Sequence, residues 1–400
     1  MISCVPSDLV KAARCFHCVP RSARRWVKAF LLCQLAGGGA PFNLDISGNS
    51  SSGNIILMWS QTGAGDQNQI WRSVNGGAFV QIASIAGSLT TYTDPSAMAN
   101  GDQWYYQVRS VKGGTASSFT QQAGVFFGFQ RIGQADVTIS FPDLVVALGS
   151  FIAQNEANLT TVSVPRLHHA LGGSGFLVDN SNLLATVDVS ALVYADRFTL
   201  SAGTRTSVNL PHFVSAGTGG FDISVANNVA SINIPVMVST GGNLLVNALP
   251  ALTSISFPTL TSIVDNLFFS GDTVLSSISF PVLKVVGSGG GNLDGGNCPA
   301  LTSASFPALQ TIGGLINFVG SNNLASFSAP NWILTDGTQI LFTGLKLNAA
   351  SVNQILARGV ASGVIGCDFE LAGGTNAAPS GQGVADKATL IGLGNTVNTN

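Results

Sequence analysis

Charge is scarce in this chain: Lys, Arg, Asp and Glu together make up 9% of its 400 residues, against about a quarter in ordinary soluble domains. A surface solvated by ion pairs is therefore excluded, and solubility must come from neutral polar groups. The few charges are also uneven. Residues 1–28 hold six basic side chains (Lys11, Arg14, Arg21, Arg24, Arg25 and Lys28) against Asp8, a net +5, while the remainder is net −7. The basic cluster lacks interleaved stacking aromatics and the bulk is mildly acidic, which excludes a nucleic-acid-binding face. No apolar run reaches about 18 residues, so no segment reads as a membrane-spanning helix. Six cysteines in 400 residues make no disulfide-rich scaffold. The phosphate-binding loop, the Gly-x-Ser-x-Gly elbow and the His-Glu-x-x-His helix are all missing. Gly172-Gly173-Ser174-Gly175 and Gly289-Gly290-Gly291 open no helix and read as turns.

What the chain has instead is a repeat. Nine times between Thr138 and Pro330 it writes Ser or Thr, an apolar residue, a small polar residue, an apolar residue and then, in all copies but one, Pro, as in Ser254-Ile255-Ser256-Phe257-Pro258 and Ser277-Ile278-Ser279-Phe280-Pro281. The anchors fall at Pro142, Pro165, Ser190, Pro211, Pro235, Pro258, Pro281, Pro307 and Pro330, in steps of 21 to 26 residues. A period in that range means a solenoid, in which each coil buries its apolar face only against its neighbours.

Relative to the anchor, position −1 holds Phe141, Val164, Val189, Leu210, Ile234, Phe257, Phe280, Phe306 and Ala329. Position +2 holds Leu144, Leu167, Leu192, Phe213, Met237, Leu260, Leu283, Leu309 and Trp332. Both sets are expected to face inward, with Phe257, Phe280 and Phe306 in one vertical row. Alternation before the anchor predicts one short strand, and runs such as Phe221 to Val225 and Leu315 to Phe318 predict a second, so two strands per coil are expected. The Pro ends the first strand, because it cannot donate to a ladder. The phrase Leu252 to Ile263 resembles the leucine-rich, receptor L-domain-like repeats of many surface proteins. That resemblance implies a right-handed leucine-rich β-solenoid and leaves the ligand open.

The outward side of the first strand is uniform. Position −4 is Thr138, Thr161, Thr186, Ser207, Ser231, Ser254, Ser277, Ser303 and Ser326, a hydroxyl in every copy. Two readings are open: hydroxyls that suit a solvated pleat and bond up the stack, or a flat polar platform for a partner. The face has no aromatics, which favours a protein partner over a glycan. These nine residues are the candidate interaction face.

The rest of the chain divides into three further parts, giving expected boundaries of 1–40, 41–129, 130–346 and 347–400. In the first, two helical stretches broken at Pro20 predict a helical hairpin that stops at Gly37-Gly38-Gly39. Ala13 to Pro20 with Phe30 to Gln34 resembles an N-terminal element of tail or fibre-like structural proteins of bacteriophages. The same segment also reads as a secretion signal, with Arg24, Arg25 and Lys28 ahead of Ala29 to Ala36. Cys15, Cys18 and Cys33, with His17, present half of a zinc-binding pattern and equally suit helical packing. In the second part, short strand-like runs at Ile55 to Trp59, Gln69 to Ser73, Ala78 to Ala83, Thr90 to Asp94 and Trp104 to Lys112 predict a sandwich. Thr91 to Pro95, Asn100-Gly101 and Tyr105 to Arg109, with Trp59 at a core position, resemble a fibronectin type III domain, which implies a spacer. At the C-terminus, Ser351 to Ala357 and Gly381 to Leu393 read as helices flanking a strand at Cys367 to Leu371. A cap is needed there, because an open solenoid end exposes strand edges.

Acidic residues of the repeats, among them Asp143, Asp188, Asp222, Asp265, Asp272 and Asp294, fall at different offsets and form no stacked pair. The four histidines share no column. The expectation is therefore a mainly β protein that is not an enzyme, has no cofactor and serves as a structural or adhesion component. Its setting is expected to be a virion, of the tail-fibre kind, or the extracellular surface of a bacterium. The expected partners are a host surface receptor (protein or glycan), neighbouring virion proteins or further copies of itself.

Overall fold

The computed structural model describes residues 40–48, 55–96, 98, 101–288 and 290–400. The helical hairpin expected in residues 1–39, with Cys4, Cys15, Cys18, Cys33 and His17, lies outside the described residues. Two compact units divide the chain, one through Val125 and the other from Phe126 onward.

The first unit is built from antiparallel strands β1 (Pro41–Gly48), β2 (Ile55–Gln61), β3 (Gln67–Val74), β4 (Val80–Ala86), β5 (Thr91–Asp94), β6 (Gln103–Lys112) and β7 (Thr115–Ala116). One sheet runs β1-β2-β5. The other runs β4-β3-β6-β7. Alternation places Ile55, Leu57 and Trp59 of one sheet and Ile70, Trp104, Tyr106 and Val108 of the other in a shared buried layer. A polar contact crosses it. Buried Asp94 accepts from Arg72 Nη1 at 2.7 Å and from the Tyr106 hydroxyl at 2.9 Å. Burial, reinforced by Asp94, holds the Tyr106 hydroxyl well above its ordinary pKa, so it remains a donor.

The second unit is a β-solenoid. Its first row consists of nine three-residue strands: Thr138–Ser140, Thr161–Ser163, Thr186–Asp188, Ser207–Asn209, Ser231–Asn233, Ser254–Ser256, Ser277–Ser279, Ser303–Ser305 and Ser326–Ser328. Each starts at a −4 residue of the repeat. Parallel register sets Thr138 beside Thr161 and Thr161 beside Thr186, and sets Ser254 beside Ser277. The chain then turns at the anchor, where in seven of the nine copies the −1 carbonyl accepts from the +2 N–H, as in Val164 to Leu167 at 3.0 Å. Proline suits the second position of such a turn because its φ is already set.

Each coil adds two more rows where the sequence indicated one. The second row is made of strands as short as Ser262–Ile263 and Thr311–Ile312. Two residues cannot display an alternation, so this row left no periodic signal. The third row is continuous from Phe129–Ile132 to Thr396–Thr399, each strand parallel to the next. Its first strand therefore lies ahead of the first repeat phrase. In the last coils helices α1 (Ala349–Ser362) and α2 (Gln382–Gly392) replace the short strands, while the third row continues through Asp368–Leu371. The Asn348 side chain caps α1 by accepting from Ser351 N at 2.9 Å.

The core follows the predicted columns. Every +2 residue and every −1 residue except half-buried Phe141 is at most 2% exposed. Phe257, Phe280 and Phe306 form one stack, with centroids 5.7 and 5.8 Å apart and interplanar angles of 13° and 18°. A second stack, Phe151-Phe176-Phe198-Phe221, fills the third row at spacings of 5.2, 5.6 and 4.9 Å. Both arise because parallel in-register strands put like residues one strand spacing apart.

The corner after the third row requires a left-handed residue. Asn155, Asn180 and Asn297 occupy it at φ near 57°, 49° and 56°, as does Gly320 at 84°. Val225 takes the same corner at φ 52° while 61% exposed. A β-branched side chain is strained there by roughly 1–2 kcal/mol. Val225→Asn is accordingly expected to raise the urea midpoint, by about 1 kcal/mol in unfolding free energy. An unchanged or lower midpoint would refute the strain at this corner.

Candidate functional site: the hydroxyl face of the solenoid

On the first row, residues −1 and −3 are drawn inward by the core, so −4 and −2 must face out. Thr138, Thr186, Ser207, Ser231, Ser254, Ser277 and Ser303 are exposed; Thr161 and Ser326 are half-buried. At −2 stand Ser140, Ser163, Asp188, Asn209, Asn233, Ser256, Ser279, Ser305 and Ser328, all exposed or half-buried. The structure thus brings all nine candidate residues onto one face.

Their hydroxyls are free: among the described residues, the side chains of these Ser and Thr residues make no hydrogen bond within the chain. The reading in which they bond up the stack does not hold. Strand spacing explains why. Where like rotamers repeat up the stack, neighbouring hydroxyls stay one strand spacing, about 4.8 Å, apart and out of hydrogen-bond reach. Asn is longer and does reach, as Asn233 Nδ2 to Asn209 Oδ1 at 2.7 Å shows. Just off the face, hydroxyls bond to carbonyls of the preceding coil instead, Thr160 to Val137 O and Ser276 to Thr253 O, both at 3.1 Å. The face carries one ionisable residue, Asp188, whose Oδ1 accepts from Ser190 N at 3.2 Å.

Reactive groups elsewhere in the solenoid are dispersed. Burial pushes the Cys298 thiol up to about 12 and raises that of Cys367, so neither is an available thiolate. Among the described residues no three His, Cys, Asp or Glu side chains come together to hold a metal ion. Asp222 is raised first by burial and also by Asp179, which lies two coils back on the same row. Their reach across an intervening coil was invisible in sequence offsets. Asp179 is itself engaged, accepting from Gln154 Nε2 at 3.1 Å and from the Ser201 hydroxyl. Tyr194 donates to Asp196 Oδ1 at 2.6 Å, and burial followed by that bond pushes its hydroxyl up to about 12. The rings of His168 and His169 lie 6.5 Å apart on the second row, away from the hydroxyl face. No described helix is long and apolar enough to cross a membrane.

No protein-family model matches the chain. No curated protein matches it either. Among solved structures, the chain is similar to an Fn3-like protein from Clostridium thermocellum, at 30% identity over 22% of this chain and 91% of that one, with a TM-score of 0.20. It is also similar to pectate lyase Pel3 from Pectobacterium carotovorum, at 13% identity over 74% of this chain and 76% of that one, TM-score 0.18. Pectate lyase PelI from Erwinia chrysanthemi matches at 13% identity over 82% and 84% of the two chains, TM-score 0.19. Enzymes thus stand among the similar structures, and the expectation that the chain is not an enzyme is corrected: it is carried no further. At these identities and scores the likeness assigns this chain no reaction, substrate or catalytic residue.

Proposed function

We propose that this protein is an adhesion component of a virion, of the tail-fibre kind, in which the solenoid presents its first-row face to a host surface receptor. The observation that carries this reading is the set of hydroxyls at position −4, present in all nine coils and free of internal partners. A face of unpaired hydroxyls with Asp188 as its single ionisable residue is matched by a partner rich in amides or hydroxyls, and it offers little to non-specific ionic attraction. In the same reading the coils are of the leucine-rich, receptor L-domain-like type, supported by buried leucines such as Leu252, Leu275, Leu301 and Leu324 at position −6. The sandwich is a fibronectin type III-like module, supported by its β1-β2-β5 and β4-β3-β6-β7 sheets and by Trp59 in its core.

The test uses the full chain, labelled and offered to a panel of bacterial cells. The double variant Ser254→Lys, Ser277→Lys places two long charged side chains on the exposed face and leaves the core untouched. It is expected to abolish binding with no change in thermal unfolding. Undiminished binding by the variant, or no binding by the natural chain to any cell, would overturn the proposal. Antibody labelling of purified particles distinguishes the virion from the alternative setting, a secreted bacterial adhesin, in which the label falls on the cell envelope.

A further inference from the structure

The first unit carries a cluster of another kind, on the side of the β4-β3-β6-β7 sheet that faces away from β1, β2 and β5. Asn68, Ile70, Tyr106 and Val108 of β3 and β6 point into the sandwich and are fully buried. Their neighbours Gln69, Trp71, Gln107 and Arg109 therefore point out, and all four are half-buried. Register brings them together, pairing Gln69 with Arg109 and Trp71 with Gln107. The Arg109 guanidinium lies 5.0 Å from the Trp71 ring centroid and 4.8 Å from that of Phe119. The two rings meet edge to face at 5.7 Å. Arg109 Nε donates to Gln69 Oε1 at 2.7 Å, which fixes the plane of the fork.

The contrast with Arg72 defines the site. Arg72 also lies over an indole, 4.1 Å from the Trp104 centroid, but it is neutralised by Asp94 at 2.7 Å. Arg109 pairs with no carboxylate among the described residues, and its terminal nitrogens have no partner there. Two aromatic rings and an amide thus hold a guanidinium in place with both terminal nitrogens uncommitted. That fork matches a carboxylate through two parallel hydrogen bonds.

We propose that Arg109, Trp71, Phe119, Gln69 and Gln107 form a binding site for a uronic-acid-bearing glycan, with Arg109 taking the sugar carboxylate. Charge complementarity selects an anion. One fixed cation among neutral amides matches a ligand with a single carboxylate per ring and hydroxyls around it. A run of Asp and Glu in a peptide would bring several charges to one partner. The partly exposed ring of Phe119 and the edge of Trp71 offer apolar surface to the C–H side of the sugar. This site is separate from the hydroxyl face and does not depend on it.

The experiment titrates the full-length protein with alginate oligomers, with neutral cello-oligosaccharides and with a poly-glutamate peptide, by calorimetry at low and physiological salt. Alginate oligomers are expected to bind, more weakly as salt rises, and the neutral sugars are expected not to. Arg109→Gln and Trp71→Ala should each weaken binding by about tenfold or more, while Thr343→Ala, at an exposed position outside both candidate sites, leaves it unchanged. Should Arg109→Gln fail to fold, Arg109→Lys is read in its place: it keeps the charge, loses the fork and is expected to weaken binding as well. Three results would overturn the assignment: no alginate binding, undiminished affinity in the folded Arg109 variants, or tighter binding of poly-glutamate than of alginate.

Discussion

Phe280→Ala is expected to destabilise the solenoid by about 3–5 kcal/mol, the usual cost of removing a fully buried aromatic ring from a core. Phe280 is 1% exposed and lies between Phe257 and Phe306, at 5.7 and 5.8 Å, with Phe269 at 6.5 Å on its remaining side. Removing it interrupts a column, so two stacking contacts are lost and the flanking rings face a void. The neighbours are tied to in-register strands on either side and cannot collapse into the space. Because a solenoid is stabilised coil by coil through its nearest neighbours, the loss should appear locally first. Hydrogen exchange should accelerate in the coils of Phe257, Phe280 and Phe306 before the coil of Leu210 is affected. Urea unfolding of the variant checks the magnitude. A change below about 1 kcal/mol, or exchange that accelerates evenly along the unit, would contradict a core assembled from stacked columns.

The stack was legible in the sequence because a proline fixes where each coil turns and the apolar positions can be counted from it. The nine first-row strands begin at the residues that this counting gives, and the candidate face follows from the same count. Three things were not legible. The two-residue strands of the second row are too short for any period, so the coils ahead of the two helices have a third row of strands that was not expected. Whether the face hydroxyls are paired depends on the strand spacing against side-chain length, which composition does not contain. The Arg109 cluster joins positions 71, 109 and 119 through antiparallel register, which no local motif records. Arg205 is a fourth case, a local exception inside a legible column. It replaces the buried leucine found at position −6 in Leu184 and Leu252, and is itself 3% exposed. Its guanidinium donates to Leu200 O at 2.6 Å and to Ala202 O, and burial lowers it to about 10. The coil in question is the shortest, 21 residues between anchors, and the arginine satisfies two main-chain carbonyls at its corner.

The second large effect is a dependence of stability on pH centred on Asp272, one coil-length from Leu249. Its carboxyl is fully buried; Oδ1 accepts from Leu249 N at 2.7 Å and Oδ2 has no partner. Burial raises its pKa to about 7 from an ordinary 3.8, with the Leu249 bond opposing. The sign follows from proton uptake: between about pH 4 and 7 the folded chain holds a proton that the unfolded chain has released. The protonated carboxyl is therefore compatible with the core at low pH, and stability falls as pH rises through that window, levelling off above it. For this one group the difference is on the order of a few kcal/mol between pH 4 and pH 8. Asp272→Asn retains the acceptor for Leu249 and carries no charge at any pH. The variant is expected to match the natural chain near pH 4, to exceed it in unfolding free energy at pH 8, and to lose the slope between them. Urea titrations of both proteins across that range measure the difference. Parallel curves would mean that Asp272 is ionised in the folded core and that its charge is stabilised there by a partner other than Leu249.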